Sequence, residues 1–127
     1  MPRSTSPTDQ APAPGGPYSQ HARIGGTVMA AGQVGLRPDG TLAEGVAAQT
    51  EQALQNVFAV LAAGGAAETD ILGVRVFLTD QGHFEEMNAV YETKFSAPYP
   101  ARTTVYVGLP AGLLVEIDAM AVVEAGS

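Results

Sequence analysis

The order in which strand and helix patterns follow one another constrains this chain most. Two extended segments flank the pair Gly25-Gly26, a helical pattern occupies residues 45–63, and an alternating run, ILGVRVFLT, follows it. A second helical pattern begins after Asp80, and two alternating runs, RTTVYVGL and LLVEIDAMAVV, come last. This ββαβαββ order predicts an α+β domain in which a mixed sheet carries both helices on one face.

Local signals set the expected boundaries of these elements. The Gly25-Gly26 pair favours a two-residue hairpin turn, and Gly64-Gly65 is expected to end the first helix. Asp80 is a predicted cap for the second helix, whose apolar stripe is Phe84, Met87, Tyr91 and Phe95. The short LPAGL segment predicts that the last two strands pair as an antiparallel hairpin.

The predicted sheet has apolar residues on both faces. One face is expected to lie under the helices, with Leu72, Val74, Val76, Leu78, Val105, Val107 and Ile117. The opposite face still holds Phe77, Tyr106, Met120 and Val122 beside Arg75. This is more apolar surface than a small monomer leaves in water, so the sequence predicts a homo-oligomer that covers this face.

Length and composition indicate a single domain. At 127 residues the chain is of ordinary domain size, and residues 1–15, rich in proline and small polar residues, are predicted to be a flexible arm before a domain at 16–127. No apolar run approaches the roughly 18 residues of a membrane span, and the N-terminus lacks a secretory apolar segment. We therefore expect no membrane association and a cytoplasmic location.

Charge and residue content argue against several functions. A net charge of -7 makes nucleic acid an unexpected partner, because such binding draws on clustered Lys and Arg. There is no Cys, and His21 and His83 have no partner at metal-ligand spacing, so neither thiolate chemistry nor a metal site is expected.

Arg102, one of only six Lys and Arg residues, stands at the start of an alternating run. In the expected hairpin Arg102, Thr104 and Glu116 are neighbours on the face that oligomerisation covers. One interpretation is a cross-strand ion pair, worth about 0.2 to 1 kcal/mol if exposed. The other is a site in which Arg102 binds a substrate carboxylate and a nearby carboxylate activates water.

Seven collinear motifs connect this chain to a known family. They are GPYSQ, AGQV, QTEQALQNV, VRVFLTD, MNAVYETKF, YPART and LVEIDAMAV, and they cover nearly all of the chain from Gly16 onward. Together they resemble the Rid family of reactive intermediate deaminases, formerly called YjgF. The resemblance implies a chorismate-mutase-like protomer in a homotrimer, whose sheets form a central barrel with the sites between subunits.

The resemblance also implies an enzyme, a deaminase that hydrolyses imines and enamines. Its substrates would be 2-aminoacrylate and 2-iminopropanoate, its products 2-oxo acids and ammonia, and it would require no cofactor. By position, Arg102 matches the residue that grips the substrate carboxylate and Glu116 the residue that activates water. Tyr18, Gly32 and Asn88 match residues that line the pocket, Tyr18 from the neighbouring subunit.

Two positions depart from the family pattern, and two other functions stay open. Thr104 stands where many members have Cys, and Ala31 where many have Ser or Thr, which bears on substrate range. The same Arg102 would also serve a non-catalytic protein that binds or senses keto acids. A specialised catabolic deaminase of a larger enamine is the second alternative.

Overall fold

The computed structural model describes residues 2–124, which form one five-stranded sheet and two helices. The strands are β1 (His21–Ile24), β2 (Thr27–Val34), β3 (Ile71–Leu78), β4 (Ala101–Tyr106) and β5 (Val115–Val122). The helices are α1 (Gly45–Ala63) and α2 (Phe84–Tyr91). The order of elements and the mixed α+β class are as predicted, whereas Met1 of the predicted arm and residues 125–127 of the predicted domain lie outside the described residues.

Elements with strong local signals lie where the sequence predicts them. Ile24 pairs with Thr27 across the β1–β2 turn, where Gly25 adopts a φ of 57° that favours glycine. The predicted bounds of α1 are correct, and the Gly64 N–H bonds to the Leu61 carbonyl at its end.

The predicted cap of α2 is wrong, however. The Asp80 carboxylate accepts the Gly82 N–H and caps a short 3-10 turn, Gln81–His83, whereas His83 precedes α2. The helix ends at Tyr91, so Phe95 of the predicted stripe lies beyond it.

The predicted hairpin between β4 and β5 is wrong. The strands are ordered β1-β2-β5-β3-β4, so β3 separates the two. β5 is antiparallel to both β2 and β3, and β4 is parallel to β3 after a crossover through α2. In the centre of the sheet β5 buries every second side chain, Val115, Ile117, Ala119 and Ala121, whereas at an edge it would leave part of this row exposed.

The predicted faces of β4 are also inverted. In the parallel β3–β4 pair, Val74 is opposite Arg102 and Val76 is opposite Thr104, so these side chains share the face covered by the helices. Val105 is opposite Phe77 on the other face and is exposed. Alternation alone assigned the apolar residues of β4 to the core, but the helix side of this edge strand accepts Arg102 because α2 provides it with partners.

At the start of β3 the residue that faces the helices is Ile71 and not the predicted Leu72. Leu72 is 58% exposed whereas Ile71 is buried, because the β3–β5 register shifts between Ile71 and Gly73. Beyond this irregularity Val74, Val76 and Leu78 are buried as predicted. An extra residue in one strand moves the preceding side chain to the opposite face.

The core lies between this face and the helices. Fully buried side chains from α1, α2 and the central strands include Leu54, Val57, Leu61, Met87, Val76 and Ile117. Lys94, just after α2, forms an ion pair with Glu51 of α1 and ties the two helical segments together. α2 also contacts the edge strand β4, because Asn88 accepts a hydrogen bond from Arg102.

The face of the sheet opposite the helices, here called the outer face, keeps an apolar surface. Met29, Val105 and Val122 are exposed there, and Phe77 and Met120 are half-buried. An ion pair lies among them, because Arg75 donates to both carboxylate oxygens of Asp118 at 3.0 and 2.6 Å. Beside it is a groove of about 380 Å³, lined in part by Met29 and Met120.

The N-terminal segment contacts β1 and the residues before it. Ser4 and Arg23 exchange backbone hydrogen bonds, and the buried Gln20 side chain bonds to the backbone of Thr8 and Pro12. The flexibility of residues 1–15 and the division of the chain at residue 16 stay predictions.

Candidate active site

Arg102 is held by α2, against which β4 packs. Its Nη1 donates to Asn88 Oδ1 at 2.8 Å, and its guanidinium carbon lies 4.6 Å from the Tyr91 ring centroid and 5.7 Å from that of Phe84. Phe84, Asn88 and Tyr91 recur at helical spacing, so one face of α2 presents all three to the guanidinium. Aromatic faces attract a cation within about 6 Å and thereby stabilise its charge away from bulk water.

The Arg102 guanidinium can donate further hydrogen bonds besides the one to Asn88. No carboxylate of residues 2–124 forms an ion pair with Arg102, in contrast to Arg75 with Asp118. Its remaining N–H groups have no acceptor within the same described part of the chain. The first interpretation of Arg102, a cross-strand ion pair, is therefore wrong, and its planar fork is available to an anion of carboxylate geometry.

Two unpartnered hydroxyls accompany this arginine. Tyr91 Oη and Thr104 Oγ1 are buried, and within residues 2–124 neither has a hydrogen-bond partner. Burial raises the pKa of Tyr91 above its ordinary value, against an opposing effect of the nearby Arg102 charge. Arg102, Asn88 and Thr104 thus form one cluster, here called the arginine half-site.

Glu116 lies elsewhere, on the outer face of β5. It pairs in register with Val34 of β2 and Phe77 of β3, next to the bulge at Ala31-Gly32. A Cβ on Gly32 would lie 2.4 Å from Glu116 Oε2, so the carboxylate occupies the space that glycine leaves free. The bulge and the absence of a side chain at position 32 together leave room for this carboxylate and fix its position.

The Glu116 carboxylate has no hydrogen bond or ion pair within residues 2–124. Its pKa is raised above the ordinary value, first by desolvation and second by the negative charge of Asp118. A carboxylate whose pKa is raised is a stronger base than one with the ordinary value. This is the property required to take a proton from water.

Tyr18 lines a cavity together with Gly32, the residue that borders Glu116. The Tyr18 hydroxyl accepts the Gly15 N–H at 3.1 Å, and the residue is 56% exposed. A cavity of about 180 Å³ is lined by Tyr18 and Gly32 among other residues. Gly32 thus borders both the Glu116 carboxylate and the cavity that Tyr18 lines, and Tyr18, Gly32 and Glu116 are here called the glutamate half-site.

The six predicted site residues therefore fall into two half-sites that the protomer does not join. The expectation that Arg102, Thr104 and Glu116 are neighbours is wrong, because they lie on opposite faces of the sheet with β3 between their strands. Asn88 lies in the arginine half-site, where its side chain accepts a hydrogen bond from Arg102.

Sequence reasoning missed three aromatic residues near Arg102. Phe84 and Tyr91 appeared only as members of a core stripe, and Tyr99 was not singled out. A signal was present, because Asn88 lies on the helix face between Phe84 and Tyr91, at i, i+4 and i+7. A polar amide between two aromatic residues on a buried helix face requires a polar partner from the opposing strand.

Two further observations concern metal ligands and membrane-spanning helices. Residues 2–124 contain no cluster of three or more His, Cys, Asp or Glu side chains placed to hold a metal ion. Over the same range, neither helix combines the length and apolar character that crossing a bilayer demands.

Comparison with known proteins places this arrangement in a family. The family model described as endoribonuclease L-PSP matches residues 8–123. A 2-iminobutanoate/2-iminopropanoate deaminase of Salmonella typhimurium is 42% identical over 123 residues, covering 93% of this chain and 96% of the relative. The chain belongs to the endoribonuclease L-PSP family, also known as the YjgF/RutC/Rid family.

Solved structures agree with the fold. RidA of an Antarctic Psychrobacter superimposes with a TM-score of 0.91 at 41% identity, covering 94% of this chain and 99% of that one. Escherichia coli TdcF with bound serine gives a TM-score of 0.90 at 35% identity, covering 95% and 99%. The family resemblance read from the motifs is thereby confirmed.

Proposed function

We propose that this protein is an imine and enamine deaminase, which hydrolyses 2-imino acids such as 2-iminopropanoate to 2-oxo acids and ammonia. The observation that carries the proposal is the unpaired, pre-positioned guanidinium of Arg102, held by Asn88 and two aromatic rings. Relatives named as 2-iminobutanoate/2-iminopropanoate deaminases, at about 40% identity, support the reaction class.

A second copy of the chain completes the site in this proposal. β4 is an edge strand with unpaired backbone groups, and the outer face is apolar, so both features favour association. A homotrimer in which the β4 edge of one protomer meets the glutamate half-site of the next would bring Arg102 and Glu116 to one cleft. Cyclic association of this kind repeats the same cleft at every interface.

Binding and orientation are assigned to the arginine half-site. The free N–H groups of Arg102 hold the substrate carboxylate, and Thr104 Oγ1, buried without a protein partner, offers a hydrogen bond beside it. Tyr18, supplied by the neighbouring protomer, closes the cleft on its other side. E. coli TdcF is a 35% identical relative solved with bound serine, which also has a carboxylate at its α-carbon.

Proton transfer is assigned to Glu116. The oxygen of a water molecule bonds to C2 of the protonated imine while a water proton passes to the Glu116 carboxylate. The carbinolamine then receives that proton on nitrogen, and the C–N bond breaks with its electron pair leaving on ammonia. The hydroxyl becomes the carbonyl as its proton passes to Glu116, which then gives a proton to the departing ammonia and is ionised again. The products are the 2-oxo acid and ammonium, and no cofactor takes part.

The direct test is acceleration of imine hydrolysis. A serine or threonine dehydratase generates 2-aminoacrylate or its homologue, and 2-oxo acid release is followed with and without the purified protein. An increase above the uncatalysed rate supports the proposal. Saturable keto acid binding without acceleration would support a non-catalytic binding protein instead.

A further inference from the structure

A pocket opens directly beside the arginine half-site. It lies between the end of α2 and the segment before β4, and its volume is about 250 Å³. Its lining residues are Asn88, Tyr91, Glu92, Tyr99, Pro100 and Arg102. Most of this lining is apolar, and the polar groups are concentrated at Arg102, Asn88 and Glu92.

The pocket and the arginine half-site have two residues in common. Arg102 and Asn88 line the pocket and also make the hydrogen bond that orients the guanidinium. Tyr99 and Pro100 form another wall and directly precede β4, so the strand that places Arg102 also places this wall. A molecule whose carboxylate lies on Arg102 therefore has an apolar space within reach of its next carbon atoms.

We infer that this pocket takes the side chain of 2-imino acids that are larger than 2-iminopropanoate, namely branched aliphatic and aromatic ones. This inference rests on the proposed deaminase function. A cavity of about 150 Å³ accommodates benzene, so about 250 Å³ is sufficient for a phenyl or isobutyl group. A methyl group would leave most of this space to water.

Glu92 sets the charge preference of the same pocket. Its carboxylate is exposed on the lining and belongs to no ion pair within residues 2–124. A second carboxylate on the substrate side chain would lie near this like charge, which disfavours its ionised form. Imines derived from aspartate or glutamate are therefore disfavoured relative to those derived from leucine or phenylalanine.

The test compares substrates of different size on one protein. An L-amino-acid oxidase generates 2-imino-3-phenylpropanoate from phenylalanine, and a serine dehydratase generates the precursor of 2-iminopropanoate. Wild-type protein is expected to accelerate hydrolysis of both. Tyr99→Ala is expected to lower kcat/KM for the phenylalanine-derived imine relative to that for 2-iminopropanoate by about tenfold or more, because a pocket wall is removed.

Tyr106→Ala is the matched control, since Tyr106 is an exposed tyrosine at the opposite end of β4 and should leave the ratio at its wild-type value. An unchanged ratio in Tyr99→Ala, or an equal change in both variants, would overturn the inference. If the wild-type protein accelerates hydrolysis of 2-iminopropanoate but not of the phenylalanine-derived imine, the inference is wrong and the proposed function still holds. If the wild-type protein accelerates hydrolysis of neither imine, both the proposed function and the inference are wrong.

Discussion

Arg102 and Glu116 lie on opposite faces of one sheet, on strands that are separated by β3. Each has an unsatisfied charge within the described chain: the guanidinium meets no carboxylate, and the carboxylate meets no donor. For both charges to act in one reaction, Arg102 and Glu116 must come from different protomers.

Replacement of Arg102 tests carboxylate binding. Arg102→Ala should abolish acceleration of imine hydrolysis, and Arg102→Lys should lower kcat/KM by about a hundredfold, since an ammonium lacks the planar fork. The dehydratase-coupled assay measures both variants. Arg37→Ala, which removes an exposed arginine bonded to Thr41, is the control and should keep wild-type activity. Near-wild-type rates in Arg102→Ala would exclude Arg102 from the site.

The pKa of Glu116 predicts the acid limb of the pH profile. Because burial and Asp118 raise this pKa, and the carboxylate must be ionised to accept a proton, activity should fall with decreasing pH at a higher pH than for an exposed glutamate. The pH dependence of kcat/KM measures this limb. Replacement of the neighbouring charge in Asp118→Asn should shift the limb to lower pH, and an unshifted limb would contradict the assignment.

Glu116→Gln should lower the rate of hydrolysis without lowering the stability of the fold. A raised pKa means that the folded state disfavours the ionised carboxylate, so folding is penalised at pH values above the folded pKa. The glutamine variant removes this penalty and should lose about a hundredfold or more in rate while its Tm at pH 7 stays equal or rises by up to about 3 °C. A large drop in Tm would indicate a structural role for Glu116.

Gly32→Ala tests whether the position of the Glu116 carboxylate beside Gly32 matters for activity. The added methyl group would lie 2.4 Å from Oε2 and 2.9 Å from the carboxyl carbon, so the carboxylate must move. We expect a loss of about tenfold or more in kcat with little change in unfolding free energy, because a side-chain end can shift at low cost. Gly108→Ala is the control, since no heavy atom lies within 4 Å of its added Cβ. Equal activity in both variants would contradict the close contact.

His21 predicts a separate effect of pH on stability. It is 2% exposed, and burial lowers its pKa below the ordinary value. A lowered histidine pKa gives stability that is complete above the unfolded value, about 6.5, and is lost as pH falls below it. The urea midpoint should therefore decrease between about pH 7.5 and 5.5, and His21→Gln should flatten this dependence. The same decrease in His21→Gln would show that other groups cause it.

Local signals predicted most of this fold, and non-local pairing accounts for the errors. The β1–β2 hairpin and the bounds of α1 follow from adjacent residues, so glycine conformation and helical periodicity were sufficient. The partner of β4 depends instead on a crossover through α2, and the short LPAGL segment favoured a hairpin that does not form. The faces of β4 were misassigned because Arg102 finds its partners on a helix.

The candidate site was predicted as a list of residues but not as an arrangement. Arg102 and Glu116 could be named from charge, alternation and family resemblance. Their separation depends on the central position of β5, and the roles of Phe84 and Tyr91 depend on how α2 lies over β4. Neither relationship is encoded at short range in the sequence.

Complementation between two inactive variants tests the shared site most directly. Arg102→Ala and Glu116→Gln are purified, unfolded and refolded together, and the mixed oligomers are verified by size exclusion and native mass spectrometry. Equal random mixing of a cyclic trimer should restore about a quarter of wild-type deaminase activity, since about three quarters of the trimers are mixed and each mixed trimer regains one of its three sites. Mixed oligomers that form but stay inactive would contradict a site built from Arg102 of one protomer and Glu116 of the next.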